Sequence, residues 1–284
     1  MIGTVAAAHE VSKGRLFFTD EEAPVLRVLD LDEGRVTHEL PLVSTPNPAY
    51  VAGEKDASSL PIGFRLLDAG GTVLAELDRP DDPARRCRGY HGHAAKGELH
   101  LFGCFMRQEG HPLSDGGVLV VRDTPAGVET RKLDYPDDRR TSTLSWGGGR
   151  WAVGNYGRPG EYRAFLRIDP DAAALSPADV MPVAGGQIVC QFVVSGDRLV
   201  NLTPDGTLRL YEVASWRELA SRPVVAPFDC TWNAPTRPEL VRMGERVYVS
   251  DPARGAIHEL SAVDLALLRR LEVGGEPTRM AAEG

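Results

Sequence analysis

Apolar and polar positions alternate in the same way in six short segments of this chain: VLRVLD (25–30), FRLLD (64–68), VLVVRD (118–123), FLRID (165–169), TLRLYE (207–212) and AIHELS (256–261). A side-chain period of two is that of a strand with one face packed on a core. Successive segments start 39, 54, 47, 42 and 49 residues apart. A repeat of about 40 to 50 residues carried by strands rather than helices predicts a β-propeller. Each segment is followed by a turn and a further strand, at 35–40, 73–77, 128–133, 179–183, 219–224 and 267–273. Five are preceded by a Gly-led strand, at 14–20, 97–102, 149–154, 196–201 and 244–249. An extended stretch before each glycine, such as 188–194, completes a four-stranded antiparallel blade. The expected fold class is therefore all-β: a propeller of six four-stranded blades forming a single domain over residues 1–284. Its second blade is expected to be incomplete, because 50–61 is short, polar and lacks a Gly-led strand.

Composition narrows the partners. The 284 residues are 42% hydrophobic, enough for a large core, and no apolar run approaches the about 18 residues a membrane-crossing helix requires. A formal net charge of −8 argues against nucleic acid and anionic membranes, which reward clustered Lys and Arg. The first ten residues carry neither a basic stretch nor an adequate apolar one, so no signal peptide is expected within this sequence. Four cysteines are too few for a disulfide scaffold, and no CxxC pair marks a zinc ribbon.

Candidate chemistry gathers on the stretches that precede the Gly-led strands, because in a propeller the innermost strands line one central channel. His9 lies five residues before Gly14, and His91 and His93 lie six and four residues before Gly97. On a strand, residues i and i+2 share a face, so His91 and His93 can offer two imidazoles to one ion. Imidazole suits Zn²⁺, with His9, Asp229 or water as further ligands. The simpler alternative is a loop whose histidines bond backbone carbonyls, and spacing alone leaves both open. Cys87 and Cys104 flank this stretch, and their separation is compatible with a disulfide or with two buried thiols. Cys190 reads as a core residue, while Cys230 lies in an irregular segment and has no assignable state.

The run CRGYHGHAAKGELHLFGC (87–104), with GNYG (154–157) and RVYVSDP (246–252), looks like the bacterial zinc metallochaperone AztD family. The resemblance extends over most of the chain from Gly63 onward. It implies a secreted β-propeller that binds zinc and loads it into the solute-binding protein of a zinc ABC transporter. It also implies a Cys87–Cys104 disulfide, His91 as a channel metal ligand, and a non-enzymatic monomer in the periplasm or outside the cell. Three departures stand out. Relatives commonly carry an acid where this chain has His93, tend to carry a histidine where it has Thr231, and have further sequence where it is short between Leu42 and Gly63.

Two rival readings accompany this one. A propeller hydrolase of the lactonase type would use a channel metal to activate water, with ligands drawn from residues such as Asp20, Asn155, Asn201, Asp229 and Asp251. The same residues serve equally as turn caps. The other reading is an interaction scaffold without metal, since propellers host unrelated functions. The glycines at 147–149 lack the lysine and spacing of a phosphate-binding loop and are expected to form a hairpin turn.

Overall fold

The computed structural model describes residues 7–12, 15–19, 25–30, 32–41, 63–67, 73–78, 90–104, 116–231 and 234–280. All regular structure among them is β, apart from three single-turn 3₁₀ segments at Pro177–Asp179, Ala184–Gly186 and Pro252–Arg254. None of the described helical segments is long and apolar enough to cross a membrane. The chain divides into two compact units, one of residues 1–93 with 97–140 and one of residues 94–96 with 141–284.

In the first unit, β1 (Ala7–Ser12), β2 (Arg15–Thr19), β3 (Val25–Asp30) and β4 (Arg35–Pro41) form one antiparallel sheet in chain order. Among the described residues β5 (Gly63–Leu67) and β6 (Val73–Asp78) form a sheet of two strands. The segment 42–62 ahead of it lies outside the described residues. A third sheet follows from β7 (Tyr90–Lys96), β8 (Leu99–Cys104), β9 (Gly117–Thr124) and β10 (Gly127–Leu133). The second unit has three four-stranded sheets in chain order: β11 (Leu144–Trp146) to β14 (Val180–Pro182), β15 (Gln191–Ser195) to β18 (Arg217–Pro223), and β19 (Leu240–Met243) to β22 (Leu267–Glu272). The six alternating segments are β3, β5, β9, β13 (Glu161–Ile168), β17 (Thr207–Glu212) and β21 (Ala256–Ser261).

The repeat runs deeper than its hydrophobic pattern. The pairing of β3 with β4 slips between Val28 and Leu29, that of β5 with β6 between Leu66 and Leu67, β17 with β18 between Leu210 and Tyr211, and β21 with β22 between Glu259 and Leu260. Each irregularity falls at the same place, the fourth residue of the observed strand, where a bulge bends the outer ribbon and increases its twist. The turn that follows is shared as well. Gly34, Trp216 and Leu265 occupy equivalent positions, with φ of 64°, 60° and 60°, and each donates its N–H to the carbonyl four residues earlier. Only glycine adopts that backbone without strain. Leu265 is held there by burial among Leu240, Val247 and Leu260, and Trp216 by packing against the cluster around Phe165 and Tyr211.

Alternation along β16 (Arg198–Leu202) explains how its sheet joins two cores. Val200 and Leu202 pack with Leu240, Val247 and Val249 of the next sheet, while Leu199 packs with Val153 and Phe165 of the preceding one. The expected turn at 147–149 also meets this sheet. Gly147 accepts the Gly196 N–H at 2.9 Å, and a Cβ on Gly147 would lie 2.6 Å from that nitrogen, so this approach of two backbones excludes any side chain.

Candidate metal site

The β7–β8 hairpin carries His91, His93, His100 and Phe102. Counting back from its two-residue turn at 97–98 puts Phe102 across from His93 and His100 diagonal to it, within reach of a ring. The contacts agree: His93 stacks on Phe102 with centroids 4.8 Å apart and on His100 at 5.4 Å. His93 Nε2 lies 3.1 Å from His100 Nδ1. His93 retains part of its exposed surface, yet its ring is pressed against these two neighbours. Desolvation first, and the charge on His100 second, lower its pKa to about 4. An unfolded chain takes up that proton below about pH 6.5. The contact therefore opposes folding as pH falls from there towards 4, and His93 is neutral at pH 7.

The separation of the two nitrogens bears on metal binding. Zn–N bonds of about 2.0–2.1 Å at a tetrahedral angle place two ligating nitrogens about 3.3 Å apart, close to the distance between His93 and His100. His100 was missed from the sequence because it lies on the Gly-led strand rather than before it. The signal that would have found it is the hairpin count given above.

His91 lies on the same strand, half-buried. The expectation that it projects with His93 requires unbroken pleating, and Gly92 between them has φ of 85°, outside the extended region. His9 falls on β1, and its side chain lies outside the described residues. Asp229 is exposed, and its Oδ1 accepts hydrogen bonds from the Thr231 hydroxyl at 2.6 Å and the Thr231 N–H at 2.8 Å, which hold its carboxyl below the usual range. Among the described residues no group of three or more His, Cys, Asp or Glu side chains surrounds a common metal position.

Cys104 is buried and disulfide-bonded, and its carbonyl accepts the Tyr135 hydroxyl at 3.1 Å. Its expected partner, Cys87, lies outside the described residues. Cys190 corrects the sequence reading. Instead of a core thiol within a strand it sits one residue before β15 and is bonded to Cys230, forty residues on, with Cα atoms 5.5 Å apart.

Of the residues a hydrolase would recruit, Asn155, Asp229 and Asp251 are engaged in other bonds. Asn155, itself buried, accepts through Oδ1 the N–H groups of Ser142 and Thr143, both at 2.8 Å, and so closes a turn. Asp251, buried, contacts His258 Nε2 at 3.2 Å and an Arg254 guanidinium nitrogen at 3.0 Å. Asp20 lies outside the described residues. Asn201 is fully buried on β16 and neither polar atom of its amide has a hydrogen-bond partner. Because a buried orphan amide costs about 1–3 kcal/mol, Asn201→Leu should stabilise the protein. An upward shift of a few degrees in thermal midpoint is the expected result, and a drop would show that the amide has a partner in solution.

No protein-family model matches the chain. It is 28% identical over 249 residues to the zinc chaperone AztD of Citrobacter koseri, an alignment covering 86% of this chain and 52% of that protein. The chain thus spans about half the length of the curated relative it matches. Among solved structures, apo AztD from Citrobacter koseri superposes with a TM-score of 0.70 at 21% identity, covering 96% of this chain and 72% of that one. A second crystal structure of Citrobacter koseri AztD gives 0.69 at 22%, covering 94% and 70%. BamB from Moraxella catarrhalis gives 0.53 at 14%, covering 95% and 77%. These superpositions, with the sheets described above, establish an all-β fold of the β-propeller class. The expected resemblance to AztD is present in both sequence and fold.

Proposed function

We propose that this chain is a non-enzymatic zinc-binding protein of the cell envelope, periplasmic or extracellular, that passes zinc to the solute-binding protein of a zinc ABC transporter. In this proposal it acts as a monomer through one domain spanning residues 1–284. The observation that carries the reading is the His93–His100 pair, two imidazole nitrogens 3.1 Å apart with His93 held neutral. Metal ligands must be deprotonated. With a pKa near 4, His93 is a neutral ring at pH 7, so a metal competes with its hydrogen bond to His100 and not with a charged imidazolium. Two imidazoles fill half of a tetrahedral shell and leave the remaining positions to donors such as His91, His9 or an incoming ligand from the recipient, an arrangement suited to transfer. Asp229 joins only by giving up its bonds to Thr231. Similarity to a zinc chaperone supports the choice of metal. The Cys190–Cys230 bond supports the compartment, because disulfides persist where the surroundings are oxidising.

Equilibrium zinc titration against a competing chelator tests this. His93→Ala and His100→Ala should each weaken binding at least about tenfold, the lower range for disturbing a metal site, and His91→Ala should also weaken it. Wild type and all three variants binding alike, at micromolar affinity or weaker, would overturn the proposal.

A further inference from the structure

We infer that the second unit carries a docking groove for an extended, acidic segment of a partner protein whose carboxylates alternate with aliphatic side chains. The groove, about 640 Å³, lies where the hairpin turns of the β15–β18 and β19–β22 sheets come together, among Gly196, Glu212, Gly244 and Val263. Six charged residues line it: Arg198, Arg217 and Arg242 against Asp197, Glu212 and Glu245. The formal balance is even, but the commitments are not. Asp197 Oδ1 accepts the Arg150 N–H at 2.9 Å. Glu212 Oε2 accepts the Ser215 hydroxyl at 2.5 Å, and its other oxygen stands 3.9 Å from Arg217. Among the described residues Glu245 is the one carboxylate of the groove with neither a hydrogen bond nor an ion pair through its side chain.

The arginines are less spent. Arg242 is half-buried on β19 and has no hydrogen bond or ion pair among the described residues, and Arg198 feels the charge of Asp264 without a bond to it. A partly desolvated guanidinium gains most from a carboxylate, which its planar fork can hold through two parallel bonds. Arg242, without a partner among the described residues, and Arg198, held only by the field of Asp264, outnumber the one unpaired carboxylate of the groove and favour an anionic occupant.

Apolar surface beside them defines the rest of the occupant. Leu219 is 37% exposed and Val263 43%, both lining the groove, and Met243, between the lining residues Arg242 and Gly244, is 43% exposed. Leu219 and Val263 are two of the seven large apolar side chains that the described surface exposes, and both line this groove. Apolar surface rimmed by arginine is characteristic of protein interfaces. A free inorganic anion has no use for it, whereas an extended peptide can set carboxylates on the arginines and aliphatic groups on Leu219 and Val263.

The test is fluorescence anisotropy with a labelled peptide of about a dozen residues alternating glutamate and leucine, beside its lysine-for-glutamate counterpart. The acidic peptide should bind saturably at micromolar concentration and the basic one should not. Arg242→Glu, which reverses the charge, should weaken binding at least about tenfold, and Leu219→Ser should weaken it with the charges intact. Melting curves confirm that each variant is folded. No saturation by about 1 mM, or wild-type affinity in a folded Arg242→Glu protein, rules the groove out as this docking site. Complete displacement of the peptide by inorganic phosphate or by phosphatidylglycerol vesicles overturns it equally, since it would show a general anion or membrane site.

Discussion

Arg167→Leu is expected to destabilise the protein by about 3–5 kcal/mol, the range for breaking one side of a largely buried ion pair. Arg167 lies on β13 and donates four hydrogen bonds through its guanidinium. Nε and one terminal nitrogen donate to Asp179 Oδ1 at 3.2 and 2.9 Å, and the other terminal nitrogen donates to the carbonyls of Val213 and Ala214 at 3.1 and 2.5 Å. Its plane lies 5.7 Å from the ring centres of both Trp151 and Trp216. One side chain thus fastens the third sheet strand of one repeat to the tight turn of the next, and helps hold Trp216 at its positive φ. Side-chain exposures of 17% and 21% for Arg167 and Asp179 mean that leucine would leave the carboxylate poorly hydrated and without its cationic partner. Asp179 Oδ2 also accepts the Ser176 N–H and hydroxyl at 2.9 and 2.8 Å, so removing both charges should cost more than removing Arg167 alone. Urea unfolding of Arg167→Leu and of the Arg167→Leu/Asp179→Leu pair measures this directly. A single variant within about 1 kcal/mol of wild type would show that the clasp contributes little.

Loss of the Cys190–Cys230 bond is expected to cost about 4 kcal/mol on the chain-entropy model, which assigns that figure to a closed loop of forty residues. The bond ties the segment entering β15 to the segment that approaches β19, so in the unfolded chain it constrains a whole repeat. A Cys190→Ser/Cys230→Ser variant isolates the effect, because reductant would also open the disulfide at Cys104. The variant should unfold at distinctly lower denaturant than oxidised wild type and should match it once wild type is reduced at this bond alone. Equal midpoints in oxidised wild type and the double variant would refute the loop-entropy account.

The two predictions differ in how far the sequence announces them. Arg167 sits within one of the six alternating segments, and its place on a strand was legible. That it reaches the turn of the following repeat was not, because Val213 and Ala214 lie more than forty residues away. Cys190 shows the same limit more sharply. Its neighbours Val189 and Phe192 are buried and apolar, so local pattern reads it as core, yet its partner is chosen by how two neighbouring sheets stack. His93 was found from its place before a Gly-led strand, while His100 entered only when the hairpin paired β7 with β8.

Alternation of apolar and polar residues, with glycine at the head of the second strand, was sufficient to place every third strand and nearly all the outer ones, since a strand's two faces are decided by neighbours within a few residues. Tertiary structure alone decided the Cys190–Cys230 bond, the Arg167 clasp, the partnering of His93 with His100, and the left-handed backbone that Trp216 and Leu265 share with Gly34. Each of these depends on contacts between strands or sheets whose residues are brought together by packing. In the last case burial holds a strained conformation at which the residue type gives no hint.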